Sequence, residues 1–159
     1  MNQDTYQLDE TDRRILLALD NDPRVPIMML AQQLGLARGT VQSRLERLAN
    51  SGALRPNTAR VRPAALGRGV SAVVSAELDQ ARLDDSIEAL RQIPEVLECV
   101  APAGDTDLLL RVAAKDPDDL YRVSEVIRLC PGITRTSTSM ILRDVIPYRT
   151  TALLQHDTP

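Results

Sequence analysis

Apolar residues recur along this chain with two different periods, and the change between them divides it. Between residues 8 and 51 the spacing is helical. Leu8, Thr11, Ile15, Leu16 and Leu19 mark a first amphipathic helix over about 9–20, with Asp9, Glu10 and Asp12 in the opening turn, where the positive end of the helix dipole favours carboxylates. Asn21-Asp22-Pro23 breaks it. Ile27, Leu30, Ala31 and Leu34 predict a second, short helix; Gly35 supplies the positive φ that ends it, and Leu36 fills the corner. Val41, Leu45 and Leu48, at i, i+4 and i+7, form the inner face of a third helix over 37–50. Gly39, Gln42, Ser43, Glu46 and Arg47 fall on its opposite side, flanked by Thr40 and Arg44. A helix packed on one side and carrying hydrogen-bonding groups on the other is what a helix-turn-helix needs for reading a groove. A solvated helical hairpin would share the pattern. Ala37 stands at the N-cap without a side-chain acceptor, at a cost of about 0.5–2 kcal/mol relative to Ser, and Gly52 is suited to close the helix.

From Val70 the period becomes two. Val70, Ala72, Val74, Ala76 and Leu78 alternate with Ser71, Ser75 and Glu77, predicting a half-buried strand. Leu83, Ile87 and Leu90 predict a helix that Pro94 stops. Residues 96–101 and 107–114 read as strands around a loop at 102–106. Asp116-Pro117-Asp118-Asp119 is a strong helix start; Leu120, Val123, Val126, Ile127 and Cys130 make its buried face, and Pro131-Gly132 ends it. Residues 133–146 read as one long β-branched strand. The order β-α-β-β-α-β predicts an α+β fold: a ferredoxin-like sheet of four antiparallel strands with two helices on one face, behind an N-terminal helix-turn-helix of winged-helix-like type. The Thr/Ser-rich last strand suggests that a partner subunit covers the other face. Boundaries follow at 1–52, a Pro- and Arg-containing connector at 53–69, partly extended, the βαββαβ domain at 70–147, and a weakly patterned tail at 148–159, expected to be disordered. Residues 1–8 read as a short mobile arm.

Charge sharpens this picture. The chain is acidic, with a net charge of −3, yet residues 36–62 hold six arginines (Arg38, Arg44, Arg47, Arg55, Arg60, Arg62) against one acid, Glu46. A phosphate backbone needs positive field within about one Debye length, ~8 Å at physiological salt, so a local cluster suffices for duplex DNA. Three Tyr and no Phe or Trp mean a core of Leu, Val, Ile and Ala, and they exclude aromatic platforms for single-stranded nucleic acid. Cys99 and Cys130 lie in apolar settings and read as buried, reduced thiols. No apolar run reaches membrane-spanning length and the N-terminus has no signal-peptide layout, so a cytoplasmic protein without a membrane partner is expected.

Four segments in this order, LDETDRRILLAL (8–19), LAQQLGLARGTVQSRLERLANSGAL (30–54), AGDTDLLLRV (103–112) and PGITRTSTSMIL (131–142), resemble the leucine-responsive/AsnC (feast/famine) family of bacterial and archaeal regulators. The resemblance spans about residues 8–150. It implies a sequence-specific transcription factor of amino-acid metabolism: a DNA-binding headpiece joined to a regulatory domain that dimerises through its sheet. Dimers would assemble into tetramers or octamers, with an amino-acid effector bound between them. On this resemblance Arg38, Thr40, Gln42, Ser43, Arg44 and Arg47 are the DNA contacts; Ala37 departs from the serine common in the family. The ligand loop corresponds to Gly104, Asp105, Thr106 and Asp107, with Thr138 and Ser139 on the last strand and Ala101 just before the loop. A carboxylate can receive a ligand ammonium while loop N–H groups receive its carboxylate, although Gly-Asp is equally ordinary turn chemistry.

Two other readings stand beside it. Some haem-pathway decarboxylases share this architecture and use histidine, but the single histidine here, His156, lies three residues from the C-terminus. No catalytic grouping and no metal-ligand cluster appears, so no enzyme activity, cofactor or metal is expected. An architectural DNA-compacting protein of low specificity is disfavoured by the acidic overall charge.

Overall fold

The computed structural model describes residues 6–156 and separates them into two units, 6–60 with 146–156, and 61–145. In the first, α1 (Glu10–Asn21), α2 (Ile27–Leu34) and α3 (Arg38–Asn50) enclose a small core of Ile15, Ala18, Leu30, Ala31, Val41 and Leu48. Asp9 caps α1 by accepting from the Asp12 N–H at 2.9 Å, and the Asp12 carboxylate accepts from the Asp9 N–H at 3.3 Å. This reciprocal capping box satisfies two orphan donors at once. Gly35 takes φ 66°, and its N–H reaches the carbonyls of Ala31 and Gln32, so α2 ends where the left-handed residue was expected. The Leu36 N–H bonds to the Ala31 carbonyl at 2.9 Å, and α3 starts immediately, with Ala37 at its N-cap and no side-chain acceptor there.

Both ends of this unit differ from expectation. Residues 1–5 of the expected arm lie outside the described residues, but Tyr6 and Leu8 pack against the core, and the Tyr6 hydroxyl donates to Asp12 Oδ2 at 2.6 Å. Residues of the expected disordered tail form α6 (Thr151–His156), which packs against α1 and ends at His156. Six residues are too few for a periodic signal, so docking rather than pattern makes this helix visible.

The second unit holds β1 (Val70–Leu78), α4 (Leu83–Arg91), β2 (Val96–Val100), β3 (Leu108–Ala114), α5 (Pro117–Arg128) and β4 (Ile133–Ile141). The sheet order is β2-β3-β1-β4 and every neighbouring pair is antiparallel, the α+β, ferredoxin-like arrangement. Ala72, Val74, Ala76 and Leu78 of β1 join Leu108, Leu110 and Val112 of β3 and Leu90, Leu120, Val123 and Ile127 from the helices in one core. Asp116 accepts from the Asp119 N–H at 2.8 Å ahead of Pro117, the cap that the acid-proline start predicts. The opposite sheet face carries Val73, Ser75 and Glu77 of β1, Leu109 and Arg111 of β3, and Arg135, Ser137 and Ser139 of β4.

Three expectations require correction here. Strand β4 stops at Ile141 rather than 146, because Ile141 pairs with Ser71 and β1 begins only one residue earlier, leaving Leu142 onward without a partner. Val126 is exposed rather than buried; it lies three residues from Val123 but past the edge of the stripe that faces the sheet. Cys99 is exposed, whereas Cys130 is buried, since β2 is an edge strand whose outer side no further strand covers. The partly extended connector also contains short 3-10 turns at Asn57–Arg60 and Pro63–Leu66.

Candidate nucleic-acid interface and effector loop

Helix α3 divides cleanly. Val41 and Leu48 are fully buried and Leu45 is partly buried against the same core. Arg38, Gly39, Thr40, Gln42, Ser43, Glu46 and Arg47 are exposed. Gln42 Nε2 donates to Glu46 Oε1 at 3.2 Å, an i,i+4 pair on the outer face. Arg38, Thr40, Gln42 and Ser43 thus share one exposed surface over the first half of the helix.

The arginines do not share one environment. Arg44 pairs with Asp9 and, at 3.2 Å, with Asp12; its side chain is 25% exposed. Arg47 lies 3.5 Å from Asp12, with its guanidinium 4.9 Å from the centre of the Tyr6 ring, and it keeps 45% of its side-chain surface exposed. Arg55 stacks over Tyr148 at 4.3 Å. The hydrogen bond from Arg44 and the backbone bond from Asp12 hold the Asp9 carboxyl below its ordinary pKa. Arg38 has no such engagement among the described residues. Six arginines counted along the sequence therefore do not amount to six cations available to phosphate. The partner acids, 35 and 32 residues away from Arg44, could not be matched to it from spacing; their one visible signal was their place in the first turn of α1.

In the second unit the loop between β2 and β3 ends in three residues with different tasks. Asp107 is consumed by the fold: its oxygens accept from the Leu78 N–H at 2.9 Å and from Gln80 Nε2 at 2.8 Å, tying the end of β1 to the start of β3. The Thr106 hydroxyl lies 3.0 Å from the Ala76 carbonyl and 3.1 Å from that of Leu108. Asp105 is exposed and lines a depression of about 330 Å³ with Thr106, Ser75, Glu77, Arg135 and Ser137. Across it, Arg135 Nη1 lies 3.6 Å from Glu77 Oε1. A site with both charges and several hydroxyls matches a zwitterion. Glu77 and Arg135 escaped the sequence reading, because their juxtaposition needs the β1–β4 register, which pairs them.

The remaining loop and strand candidates do not converge within one copy of the chain. Thr138 is paired opposite Val74 and its hydroxyl sits 3.0 Å from that of Ser124 on α5, on the helix side of the sheet. Ser139 is opposite Val73, on the other side. Ala101 lines a separate groove of about 390 Å³ beside α4 and β2, together with Cys99, Ile87 and Leu90. Gly104 has open space around its Cα.

A three-helix unit presenting α3, joined to a ferredoxin-like unit with a polar loop depression, defines a helix-turn-helix DNA-binding regulator with a separate ligand-type domain. The AsnC-type helix-turn-helix domain model matches residues 8–49 and the Lrp/AsnC ligand binding domain model matches residues 71–151. The chain is 37% identical over 138 residues to the HTH-type transcriptional regulator AldR of Mycolicibacterium smegmatis, covering 84% of this chain and 81% of that protein. Among solved structures, Escherichia coli AsnC superposes with a TM-score of 0.81 at 27% identity, over 91% of this chain and 98% of that one. A feast or famine regulatory protein from M. tuberculosis complexed with L-methionine gives 0.77 at 33% identity, over 90% and 97%. The chain belongs to the Lrp/AsnC family of transcriptional regulators. It is a DNA-binding regulator of transcription and not an enzyme, and none of its helices among the described residues is long and apolar enough to cross a membrane.

Proposed function

We propose that this regulator reads a pseudo-palindromic duplex site through α3, using Arg38, Thr40, Gln42 and Ser43, with Arg47 at the margin, and that an amino acid is its effector. The carrying observation is the division of α3: Val41 and Leu48 are fully buried, while those four side chains are exposed together. Two copies paired through the open sheet face, and dimers grouped further into tetramers or octamers, would set two such helices in successive major grooves. The half-buried Val73 and Leu109 and the exposed Val100 on that face support pairing there, since apolar side chains on an open sheet gain from being covered. Arg38→Ala is expected to weaken binding to a duplex selected from a random pool by about 1–3 kcal/mol, roughly 5- to 150-fold, without changing assembly size. Fluorescence anisotropy and light scattering measure the two; unaltered affinity would remove α3 from the interface.

The effector half of the proposal rests on the depression beside Asp105, whose charged rim pairs Glu77 with Arg135. The related M. tuberculosis regulator is complexed with L-methionine, which favours an amino acid here. Ala101, Thr138 and Ser139 would contribute only if another copy brings them to the loop, and Gly104, Thr106 and Asp107 would act by shaping it. A ligand there would change DNA affinity by binding one assembly better than another. In a thermal-shift screen of the twenty amino acids, a selective ligand at a hundred times its Kd is expected to stabilise by about 2.7 kcal/mol, and Asp105→Ala to abolish that shift while basal DNA binding persists. A variant that keeps the full shift would move the site elsewhere. Control of amino-acid metabolism from the cytoplasm, where the DNA is, completes the reading.

A further inference from the structure

We infer that Arg44 is a positioning residue of the DNA-reading surface rather than a DNA contact: paired with Asp9 and Asp12, it sets the height and roll of α3 on the first turn of α1. This rests on α3 being the helix offered to duplex DNA. Arg44 stands three residues after Val41 and four before Leu48, both fully buried, so it sits at the border of the packed face. From there its Nη1 reaches both acids of the α1 capping box. Those acids cannot follow it outward. Asp12 is fully buried, with Oδ2 already accepting from the Tyr6 hydroxyl at 2.6 Å; Asp9 Oδ1 holds the Asp12 N–H at 2.9 Å. Turning Arg44 toward a phosphate would break both of its bonds to these carboxylates and leave buried Asp12 with Arg47 alone, at 3.5 Å, which costs more than an exposed phosphate contact returns.

The same geometry explains why a middle-of-helix arginine matters for reading bases. Arg38 and Thr40 lie a turn or more N-terminal to Arg44 on α3 and Gln42 and Ser43 lie within its own turn, and base contacts tolerate little displacement. The apolar contacts of Val41, Leu45 and Leu48 press α3 onto the core and oppose rotation about its own axis only through the fit of their side chains. A bifurcated charge-assisted bond from Arg44 to two fixed carboxylates is directional and resists that rotation. It follows that Asp9, although negative and near the expected DNA, helps specific binding.

The test uses the full chain, a duplex selected from a random pool and a random-sequence duplex of equal length, with anisotropy titrations between 50 and 200 mM salt. Arg44→Ala is expected to lower affinity for the selected duplex by about tenfold or more, leave the random duplex within about twofold, and keep the slope of log K against log salt unchanged. Arg44→Lys, still able to pair with both acids, is expected to recover part of the preference. Asp9→Asn retains an N-cap acceptor and so the fold; it is expected to weaken the selected duplex about threefold or more even though it removes a negative charge. It also carries the test should Arg44→Ala fail to fold.

Equal losses on both duplexes with a slope reduced by about one would make Arg44 a phosphate contact and overturn the inference. So would tighter binding by Asp9→Asn, or a folded Arg44→Ala protein with its preference intact. Arg38→Ala separates the two levels. If it reduces affinity while Arg44→Ala also reduces the slope, only the positioning role falls; if it changes nothing, the reading of α3 falls as well.

Discussion

Leu48→Ala is expected to unfold the DNA-binding unit and abolish DNA binding while the βαββαβ unit stays folded. Leu48 is fully buried, in a core whose other fully or nearly fully buried members are Ile15, Ala18, Leu30, Ala31 and Val41. Truncating such a leucine costs about 2–5 kcal/mol, the transfer of the lost methyls plus the cavity they leave. A unit this small buries a limited share of its surface, and stability of ~0.05–0.15 kcal/mol per residue leaves it little reserve. No aromatic side chain sits among those buried residues to expand into the hole. The second unit has a core of its own built from other residues, so its melting transition should remain. A thermal melt followed by circular dichroism, with anisotropy at 25 °C, measures both; a variant with one unchanged transition and full DNA affinity would show that Leu48 does not hold α3.

Gly132→Ala is the largest expected effect in the other unit. Gly132 adopts φ +81°, and a Cβ there would lie 2.5 Å from Ser86 Oγ, 2.9 Å from Arg82 Cβ and 3.3 Å from the Arg82 carbonyl. Ser86 cannot swing aside cheaply: it is fully buried, and its single hydroxyl hydrogen is shared between the carbonyls of Pro131 at 2.6 Å and Arg82 at 2.9 Å. Two costs therefore combine, about 1–2 kcal/mol for the left-handed backbone and about 1–3 kcal/mol for the overlap. Gly67 is an internal control, because it has φ +73° but open space where its Cβ would stand. Gly67→Ala should show the backbone cost by itself. Denaturant titration of the two variants measures the difference, and equal destabilisation would mean that α4 yields to the added methyl. The loss should fall on the sheet unit, since the Gly132 carbonyl accepts from the Asp79 N–H at 2.8 Å and so joins the start of β4 to the end of β1.

The parts of this protein legible along the chain are those set by neighbours in sequence. Alternation of Ala72, Val74 and Ala76 with Ser71 and Ser75 announces β1, because a pleated strand with one covered face must read that way. Val41, Leu45 and Leu48 announce the packed side of α3, and Gly35 and the acid-proline start at 116–117 mark termini through their own backbone preferences. The Lrp/AsnC resemblance was visible for the same reason: its signatures are runs of local pattern in a fixed order.

What escaped depends on which surfaces meet. Along the sequence Arg44 and Arg47 are members of a cationic helix face and Asp107 is part of a loop; only the packed fold brings Asp9 and Asp12 beside the two arginines and gives Asp107 the Leu78 N–H and Gln80 as partners. Cys99 has the apolar neighbours of a buried thiol yet lies on an edge strand, and the stretch after Ile141 has the composition of a strand without a strand to pair with. Burial periodicity is a property of one element and its environment, so it is written in the order of residues. Hydrogen-bond and ion-pair partners are chosen among side chains far apart in the chain, by positions that exist only once the elements have packed.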